Sequence, residues 1–487
     1  MALPQRRRSV KDDDPRSAAA GPSGLVVSTP IVILLIIAAL DSADRSLLSS
    51  SFPILERTLG FDVQMLGYFS LSSNLSYAAS MPLWGYLVHR HPHRMQSILA
   101  AACVTWGLAL VAMATDQVAG PSIVAQACLR AVSGAALASI LPLSQALLAE
   151  LVPPHRRGSA FGMLQVCEKI AGTVAASSVI YFADQWRTSY RVLGLFSVGM
   201  GVVTIEWLKV PPGDGGGKHS SVADTGIRET NKMTFLQIVR RVAKIPALGC
   251  LIGQGLFGGI PWDCMSFVLL LMDWKGYTKE QIVLLQLCKG GSGMIGGYVG
   301  GYLGDHFAAR FSRKGRVYVA ILSKVGGTIF YAMFLFSASF HWTLIWLMLF
   351  MIWGSWPVAS TIRPIMSELA QSPSERAQIV AVWILLEKTA SSLLGSPLVG
   401  YMTSDMISGD AGGTNEQEED SADATSSSSS SYKADALAYN LFRISTCSWA
   451  ICICFWILMI YTLRPPSKKG KGRLKPDKET WWTDESP

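Results

Sequence analysis

Apolar stretches of helix length recur along this chain, and short polar segments separate them. A helix that crosses a bilayer needs about 20 predominantly apolar residues, and the stretches are long enough for that. The pattern therefore predicts twelve helical spans, which we number 1 to 12 in chain order. They lie at residues 27–52, 64–88, 96–115, 121–149, 158–183, 189–209, 246–272, 280–304, 316–337, 341–369, 377–404 and 437–463.

The longer polar segments divide the chain into two bundles, two tails and a linker. The predicted parts are an N-terminal tail (1–26), a first six-helix bundle (27–210), a linker (211–244), a second six-helix bundle (245–464) and a basic C-terminal tail (465–487). Inside the second bundle, residues 405–436 are acidic and rich in serine. Such a composition cannot bury a core, so this segment is predicted to be a disordered loop outside the cytoplasm.

The placement of the basic residues predicts the orientation in the membrane. Outside the predicted spans, lysine and arginine number 26 in the tails, the linker and the even-numbered connections, against 5 in the odd-numbered connections. Segments rich in these residues stay in the cytoplasm, so both tails and the linker are expected there. The pattern leaves open whether the membrane is the plasma membrane or an endolysosomal or other organellar membrane.

Composition indicates an all-α polytopic membrane protein. Hydrophobic residues make up 50% of the chain and charged residues 16%, whereas about 25% of residues are charged in soluble domains. No basic face carries interleaved aromatic residues, so no nucleic-acid partner is expected. The nine cysteines lie in apolar stretches without metal-ligand spacing, so no metal and no cofactor other than a proton gradient is predicted. The expected partners are the lipid bilayer and a small-molecule or lipid substrate, and the chain is expected to act as a monomer.

Matching motifs in the two bundles predict an internal repeat. Gly85-Tyr86-Leu87 ends span 2, Gly301-Tyr302-Leu303 ends span 8, and a basic loop follows each motif. Two parallel halves around an axis along the membrane normal are a transporter architecture, with the substrate site between the halves near the midplane. Twelve transmembrane helices in two pseudo-symmetric bundles are the predicted fold.

A second pair of matching motifs is predicted to place charged residues near the midplane of the membrane. In span 5, Glu168-Lys169 follows Arg157 by eleven residues. In span 11, Glu387-Lys388 follows Arg376 by the same spacing. Eleven helical residues rise about 16 Å, roughly half of a hydrocarbon core about 30 Å thick. Both glutamates are therefore expected near the middle of the membrane.

Charges inside membrane helices are costly, about 2.5–3.5 kcal/mol each, and they usually have a function. A carboxylate beside cations can exchange a proton, and an arginine can hold an anionic group. The candidates for proton coupling are Asp44, Arg45, Glu168 and Glu387; those for substrate binding are Arg130, Lys169, Trp262, Asp263, Trp356, Arg363 and Lys388. Lys289 in span 8 is a further intramembrane charge. The alternative interpretation is that such charges form ion pairs that set helix register, as Asp41 and Arg45 can do at i,i+4.

Residues near three span ends resemble motifs of the major facilitator superfamily. Gly85 to Arg90, with Arg94 beyond, is similar to the superfamily's signature between spans 2 and 3, and Gly301 to Asp305 is similar to its second copy. Arg130 with Gly134 and Ala136 resembles the span 4 signature. This resemblance implies gating roles for Gly85, His89, Arg90, Arg94, Gly301 and Asp305. His89 replaces the usual aspartate, so the first copy lacks the acidic partner that Asp305 provides in the second.

Within the superfamily, Asp44-Arg45 in span 1 and Trp186-Arg187 at the start of span 6 are similar to spinster-like transporters. Residues 300–315 and 356–400 resemble spinster-like proteins of plants and algae. The resemblance implies proton-linked or facilitated movement of lysophospholipids, sphingoid phosphates or other amphipathic anions. It also implies that Asp44 and Arg45 form a coupling pair and that Arg130 contacts the anion.

These observations predict a secondary active or facilitative transporter that moves a small amphipathic or anionic solute by alternating access. Two alternatives remain from other classes. A lipid-modifying membrane enzyme would need a histidine-based catalytic set, and most histidines lie in predicted loops. A receptor or scaffold built on the same fold would not need the charged midplane.

Overall fold

The computed structural model describes residues 28–91, 94–152, 157–208, 246–369, 373–411 and 422–463. All regular elements at these positions are helices, which confirms the predicted all-α class. Both tails and the linker 211–244 lie outside the described residues.

The first half contains spans 1 to 6. A short helix, Phe52–Leu59, follows span 1. Span 4 is broken after Leu137. The spans are Thr29–Ser50, Val63–Arg90, Met95–Met113, Ile123–Leu137 with Ile140–Leu151, Arg157–Tyr181 and Trp186–Trp207.

The second half contains spans 7 to 12, and three of them are interrupted. Span 10 includes a π-helical segment, Val358–Ile362, a distortion that often marks functional positions. The spans are Pro246–Gly258 with Ile260–Cys264 and Val268–Trp274, Lys279–Phe311, Arg313–Phe336, Phe340–Gly354 with Arg363–Leu369, Pro373–Leu394 with Ser396–Ala411, and Ala422–Thr462. Among the described residues, eight helical stretches are long and apolar enough, by length and composition, to cross a membrane.

Local chemistry explains where several spans begin. The Thr278 side chain accepts from the backbone N–H of Gln281, whose side chain accepts from the Thr278 N–H, so a capping box starts span 8. Asp62 accepts from the N–H of Val63 at 2.7 Å and starts span 2. Gly60 and Gly276 adopt positive φ angles of 68° and 76° and reverse the chain before these two spans.

The structure differs from the prediction in the serine-rich segment before span 12. Residues 405–411 and 422–436, which the sequence predicts to be disordered, are helical, and only 412–421 lie outside the described residues. Span 12 continues N-terminally past the predicted start because Ala434, Leu437, Ala438 and Leu441 form a buried stripe at helical spacing. This stripe packs into the main core, which outweighs the weak helix propensity of the serines.

The two halves pack against each other through two interfaces that the internal repeat relates. Span 2 contacts span 11, and span 5 contacts span 8. Because the repeat relates span 2 to span 8 and span 5 to span 11, these two interfaces are equivalent. We call the side of the bundle with connections 1–2, 7–8 and 11–12 the odd-loop side, and the opposite side the even-loop side.

Candidate functional site

The two halves enclose a cavity of about 700 Å³. Spans 1 and 5 of the first half and spans 7, 8 and 10 of the second half form its walls. This is the position in which the repeat predicts a substrate site. The volume lies within the range of small-molecule sites, about 300–1,000 Å³.

The two lysines of the cavity wall come from different halves of the molecule. Lys169 belongs to span 5 and Lys289 to span 8, and each lies within Coulombic range of the other. The two helices come close beside them, because a Cβ added to Gly290 would lie 3.6 Å from Thr173 Oγ1. None of the described residues that line the cavity carries a carboxylate. The lining is therefore positively charged.

Neutral hydrogen-bonding groups surround these cations. Ser42, Ser46 and Ser49 face the cavity from span 1, at spacings that put them on one side of the helix. Gln165 and Gln286 add side-chain amides from spans 5 and 8. Hydroxyl and amide groups can donate hydrogen bonds to an anion without adding charge.

The rest of the cavity wall is apolar. Trp262 has 38% of its surface exposed, and its ring stacks on Phe350 with the centroids 5.8 Å apart. Met294, Met351 and Val166 line the same space. The cavity therefore combines a cationic polar part with an apolar part. Of the predicted substrate-binding residues, Lys169 and Trp262 lie on its wall.

The span 1 charges form two separate ion pairs. Arg130 Nη1 donates to Asp44 Oδ1 at 2.7 Å, and both side chains are fully buried. Arg45 instead donates to Asp41, one turn earlier, as their i,i+4 spacing predicts. Successive residues of a helix point about 100° apart, so Asp44 and Arg45 select different partners.

The burial of Arg130 changes its expected role. The guanidinium also donates to the backbone carbonyl of Asp44 at 3.3 Å and has no exposed surface. It cannot touch a solute in the cavity in this conformation. Arg45, by contrast, keeps 46% of its side chain exposed and lies over the Tyr77 ring at 5.8 Å.

Asp263 connects the halves instead of facing a solute. Its carboxylate accepts from Asn74 Nδ2 of span 2 at 2.8 Å. It also accepts from the N–H of Ser396 at 2.8 Å and the hydroxyl of Ser396 at 2.7 Å, where span 11 is interrupted. Three donors occupy the carboxylate, so Asp263 does not offer a free anionic contact as the sequence predicts.

Trp356 and Arg363, the candidates on span 10, do not line the cavity. Trp356 is buried against Trp353, with the ring centroids 4.5 Å apart. A Cβ added to Gly300 would lie 2.6 Å from the Trp356 Cα, so spans 8 and 10 are in backbone contact there. Arg363 is exposed and directly follows the π-helical segment. In this conformation span 10 reaches the cavity wall through Met351 and Ser355 instead.

The two repeated Glu-Lys motifs occupy related but unequal sites. Glu168 lies within Coulombic range of Arg45, whereas Glu387 packs against span 7, its Cγ 2.8 Å from a Cβ added to Gly259. Lys169 lines the cavity, and its counterpart Lys388, although exposed, does not. The repeat therefore holds for the backbone and not for the charged side chains.

The even-loop side carries the motifs with an implied gating role. Asp305 accepts from Arg316 Nη2 at 2.8 Å, and Arg316 Nη1 donates to the Ser360 carbonyl at 3.0 Å, which ties spans 8, 9 and 10 together. Arg90 donates to the Tyr86 hydroxyl one turn earlier, at 3.0 Å.

The other motif residues on the even-loop side either have few neighbouring atoms or lie outside the described part of the chain. Gly85 and Gly301 have no other atom within 4 Å of an added Cβ, and Arg94 is exposed. The His89 side chain is outside the described part of the chain. None of the described contacts of these residues joins the halves.

Contacts that join the halves at the odd-loop side are not predicted by the sequence analysis. Arg57 binds both carboxylate oxygens of Asp273, at 2.7 and 2.6 Å. Trp274 Nε1 donates to Glu56 at 2.9 Å. Burial, opposed by the Trp274 hydrogen bond, raises the pKa of Glu56 above its usual value. The signal for these pairs lies in the residues flanking connections 1–2 and 7–8, but a single sequence does not show that these connections meet.

The described residues contain no group of three or more His, Cys, Asp or Glu side chains that could hold a metal ion. The ionisable and hydrogen-bonding side chains of the cavity wall can bind and release a polar molecule.

Two repeated six-helix halves with a polar cavity between them define a multi-pass membrane transporter. The family model of the Major Facilitator Superfamily matches residues 34–396, and the chain belongs to that superfamily. It is a transporter and not an enzyme, so the lipid-modifying alternative is excluded.

Solved structures show the same fold. A bacterial homologue of the human lysosomal transporter Spinster, in an inward-facing and unoccupied conformation, superposes with a TM-score of 0.71 at 15% identity and covers 89% of this chain and 96% of its own. The nucleoside transporter NupG gives 0.65 at 13% identity, covering 88% and 99%. The xylose transporter XylE from E. coli gives 0.59 at 14% identity, covering 91% and 97%.

A curated relative matches part of the chain. The multi-drug resistance efflux pump PmrA of Streptococcus pneumoniae is 28% identical over 180 residues, which are 35% of this chain. The match spans 42% of the length of that relative.

Proposed function

We propose that this protein transports an amphipathic organic anion, such as a lysophospholipid-like molecule, across the membrane by alternating access. The observation that carries the proposal is the cavity between the halves, whose described lining has two lysines and no carboxylate. An anionic group offsets this charge, and the apolar wall around Trp262 accommodates a hydrocarbon portion. The bacterial homologue of the transporter Spinster shares the fold, which agrees with a transport function.

We propose that the transport is linked to protons through the charges of span 1. Arg45 is partly exposed and lies near Glu168. Asp44 is buried and paired with Arg130, so its protonation would require the pair to separate during the cycle. A buried charge that loses its partner strongly destabilises the protein. Protonation of Asp44 would therefore be coupled to a change of conformation.

The orientation and membrane belong to the same proposal. The even-loop side faces the cytoplasm, as the excess of basic residues there predicts. Protease accessibility of a tag on either tail in intact cells and in opened cells tests this arrangement, and microscopy of the tagged chain identifies the membrane.

Uptake into proteoliposomes tests the function directly. Vesicles with the purified protein take up a radiolabelled lysophospholipid or a short alkyl phosphate, and protein-free vesicles do not. Imposing a pH gradient changes the rate in the wild type and not in Asp44→Asn. Absence of uptake for every anionic amphiphile refutes the proposal and favours the receptor or scaffold alternative. Full gradient-driven uptake by Asp44→Asn refutes the coupling role of Asp44.

A further inference from the structure

Lys169 and Lys289 face one cavity from different halves of the molecule. We propose that these two lysines jointly bind the anionic group of a single substrate molecule, and that the bound anion thereby holds the two halves together. This inference rests on the proposed function, because it locates the anion within the transport cavity and gives it a mechanical role.

The backbone geometry brings the two ammonium groups to the same region. Spans 5 and 8 approach closely at Thr173 and Gly290, where an added Cβ would lie 3.6 Å from the threonine hydroxyl. Lys169 is one helical turn before Thr173, whose hydroxyl donates to the Lys169 carbonyl at 2.9 Å. Lys289 immediately precedes Gly290. A glycine at the crossing leaves room for an anion beside the helices.

The charge of the cavity lining favours an anion. Glu168, the neighbour of Lys169 on span 5, lies within Coulombic range of that lysine, but it does not line the cavity. The two lysines interact unfavourably with each other, and neither ammonium group makes a hydrogen bond or an ion pair with the residues that the structure describes. Two like charges in a confined site of low dielectric repel strongly. An anion between them replaces one repulsion by two attractions.

The neutral groups of the wall complete a site for an oxyanion. Ser42 and Ser46 lie next to Gly172, where an added Cβ would be 3.0 and 2.7 Å from their hydroxyl oxygens. Gly172 is one turn beyond Lys169 on span 5, so these hydroxyls lie close to that lysine. Bonds from ammonium groups to an oxyanion are roughly twice as strong as neutral ones. The lysines therefore dominate the affinity, and the hydroxyls orient the group.

The positions of the lysines make binding and conformation interdependent. Each lysine moves with its own half when the halves rock, so the anion contacts both only in a conformation that keeps spans 5 and 8 close. A ligand shifts a conformational equilibrium by its differential affinity for the two states. An anion that bridges the lysines thus favours the conformation described here over one in which these spans separate.

Binding measurements test the joint site. The full-length protein in a neutral maltoside detergent is titrated calorimetrically with octyl phosphate, and inorganic phosphate, octanoate and neutral octyl glucoside are compared. Lys169→Gln and Lys289→Gln each weaken octyl phosphate binding by roughly tenfold or more, as expected for loss of a charge-assisted bond. Lys279→Gln, an exposed lysine on the same helix as Lys289, leaves the affinity unchanged.

A double-mutant cycle distinguishes one shared anion from two separate sites. With a shared anion, the double variant loses less than the product of the two single losses, because the first substitution already removes the bridge. Independent losses, or a loss confined to one lysine, refute the joint site. If inorganic phosphate binds as tightly as octyl phosphate, the anion held is not part of an amphiphile and the proposed substrate is wrong.

Charge reversal provides a readout that needs no ligand. Lys289→Glu turns the repulsion across the cavity into an attraction, so the ligand-free protein melts at a higher temperature than the wild type. Lys279→Glu serves as the control and does not raise the melting temperature. An unchanged or lowered melting temperature in Lys289→Glu refutes the proximity of the two charges.

The two proposals fail in different ways. If the wild type takes up an anionic amphiphile while both glutamine variants bind and transport normally, the lysine pair is refuted and the transport function stands. If the wild type neither binds nor transports any anionic amphiphile, the proposed function is refuted, and the lysine site that rests on it is refuted as well.

Discussion

The side-chain amide of Asn74 donates a hydrogen bond of 2.8 Å to Oδ1 of Asp263, and this bond joins the two halves of the transporter. Asp263 is also held by two donors of Ser396 at the break in span 11. When the halves separate on the odd-loop side, the Asn74 bond breaks and the Ser396 bonds, within one half, can persist. Asn74 is thus the movable partner of this carboxylate.

Replacing Asn74 by alanine is therefore expected to weaken the closed odd-loop side. The substitution removes a donor from a partly buried carboxylate and costs about 1–3 kcal/mol. Thermal unfolding in detergent measures the cost. Gln64→Ala serves as the control, since its side chain binds Tyr68 within span 2. Equal stability of the two variants would contradict a role for the bond between the halves.

The contact of spans 2 and 11 offers a steric test of the same closure. A Cβ on Gly67 would lie 2.8 Å from the Ser396 carbonyl oxygen, which is closer than atoms can approach without a shift. Gly67→Ala should therefore push the spans apart and increase labelling of a cysteine introduced at Asn74 by a membrane-impermeant thiol reagent. Gly199→Ala, where an added Cβ meets nothing within 4 Å, should leave that labelling unchanged.

The buried pair of Asp44 and Arg130 predicts a large and asymmetric effect on stability. Arg130→Gln leaves a buried carboxylate without its cation and should cost about 3–5 kcal/mol. The double variant Asp44→Asn with Arg130→Gln has no uncompensated charge, so it should recover much of that loss. Chemical unfolding in mixed micelles gives the comparison. A double variant less stable than Arg130→Gln would show that the charges do not act as a pair.

Glu56 predicts a pH dependence of stability. Burial raises its pKa in the folded state above the value of 4.5 for a free carboxyl group. The folded state therefore binds this proton more tightly than the unfolded state, and the stabilisation is present at low pH and lost as the pH rises through the folded pKa. Glu56→Gln mimics the protonated form and accepts the Trp274 hydrogen bond. It should melt above the wild type at pH 7, with the difference shrinking towards pH 4.

The sequence predicts which residues of the site are unusual in a membrane helix, but it does not predict which partners they meet. Lys169 and Trp262 are predicted because a charge and a large aromatic residue stand out in apolar helices, and both line the cavity. Lys289 is visible in the same way, but its role depends on facing Lys169. Arg130 and Asp263 stand out equally well, yet their partners remove them from the cavity wall. A charged residue in an apolar helix is therefore easy to find in the sequence. The sequence does not show whether that residue contacts a solute or forms an ion pair or hydrogen bond within the protein.

The sequence by itself determines the all-helical class, the number of spans and the repeat, because each follows from periodicities along one chain. Span length reflects the thickness of a bilayer, and the matching motifs reflect two similar halves. Only the tertiary structure decides which of two adjacent residues, Asp44 or Arg45, meets Arg130. The same holds for the closure by Asn74 and Asp263, which lie 189 positions apart. Such contacts depend on helix rotation and on the approach of distant spans, and local patterns do not encode either.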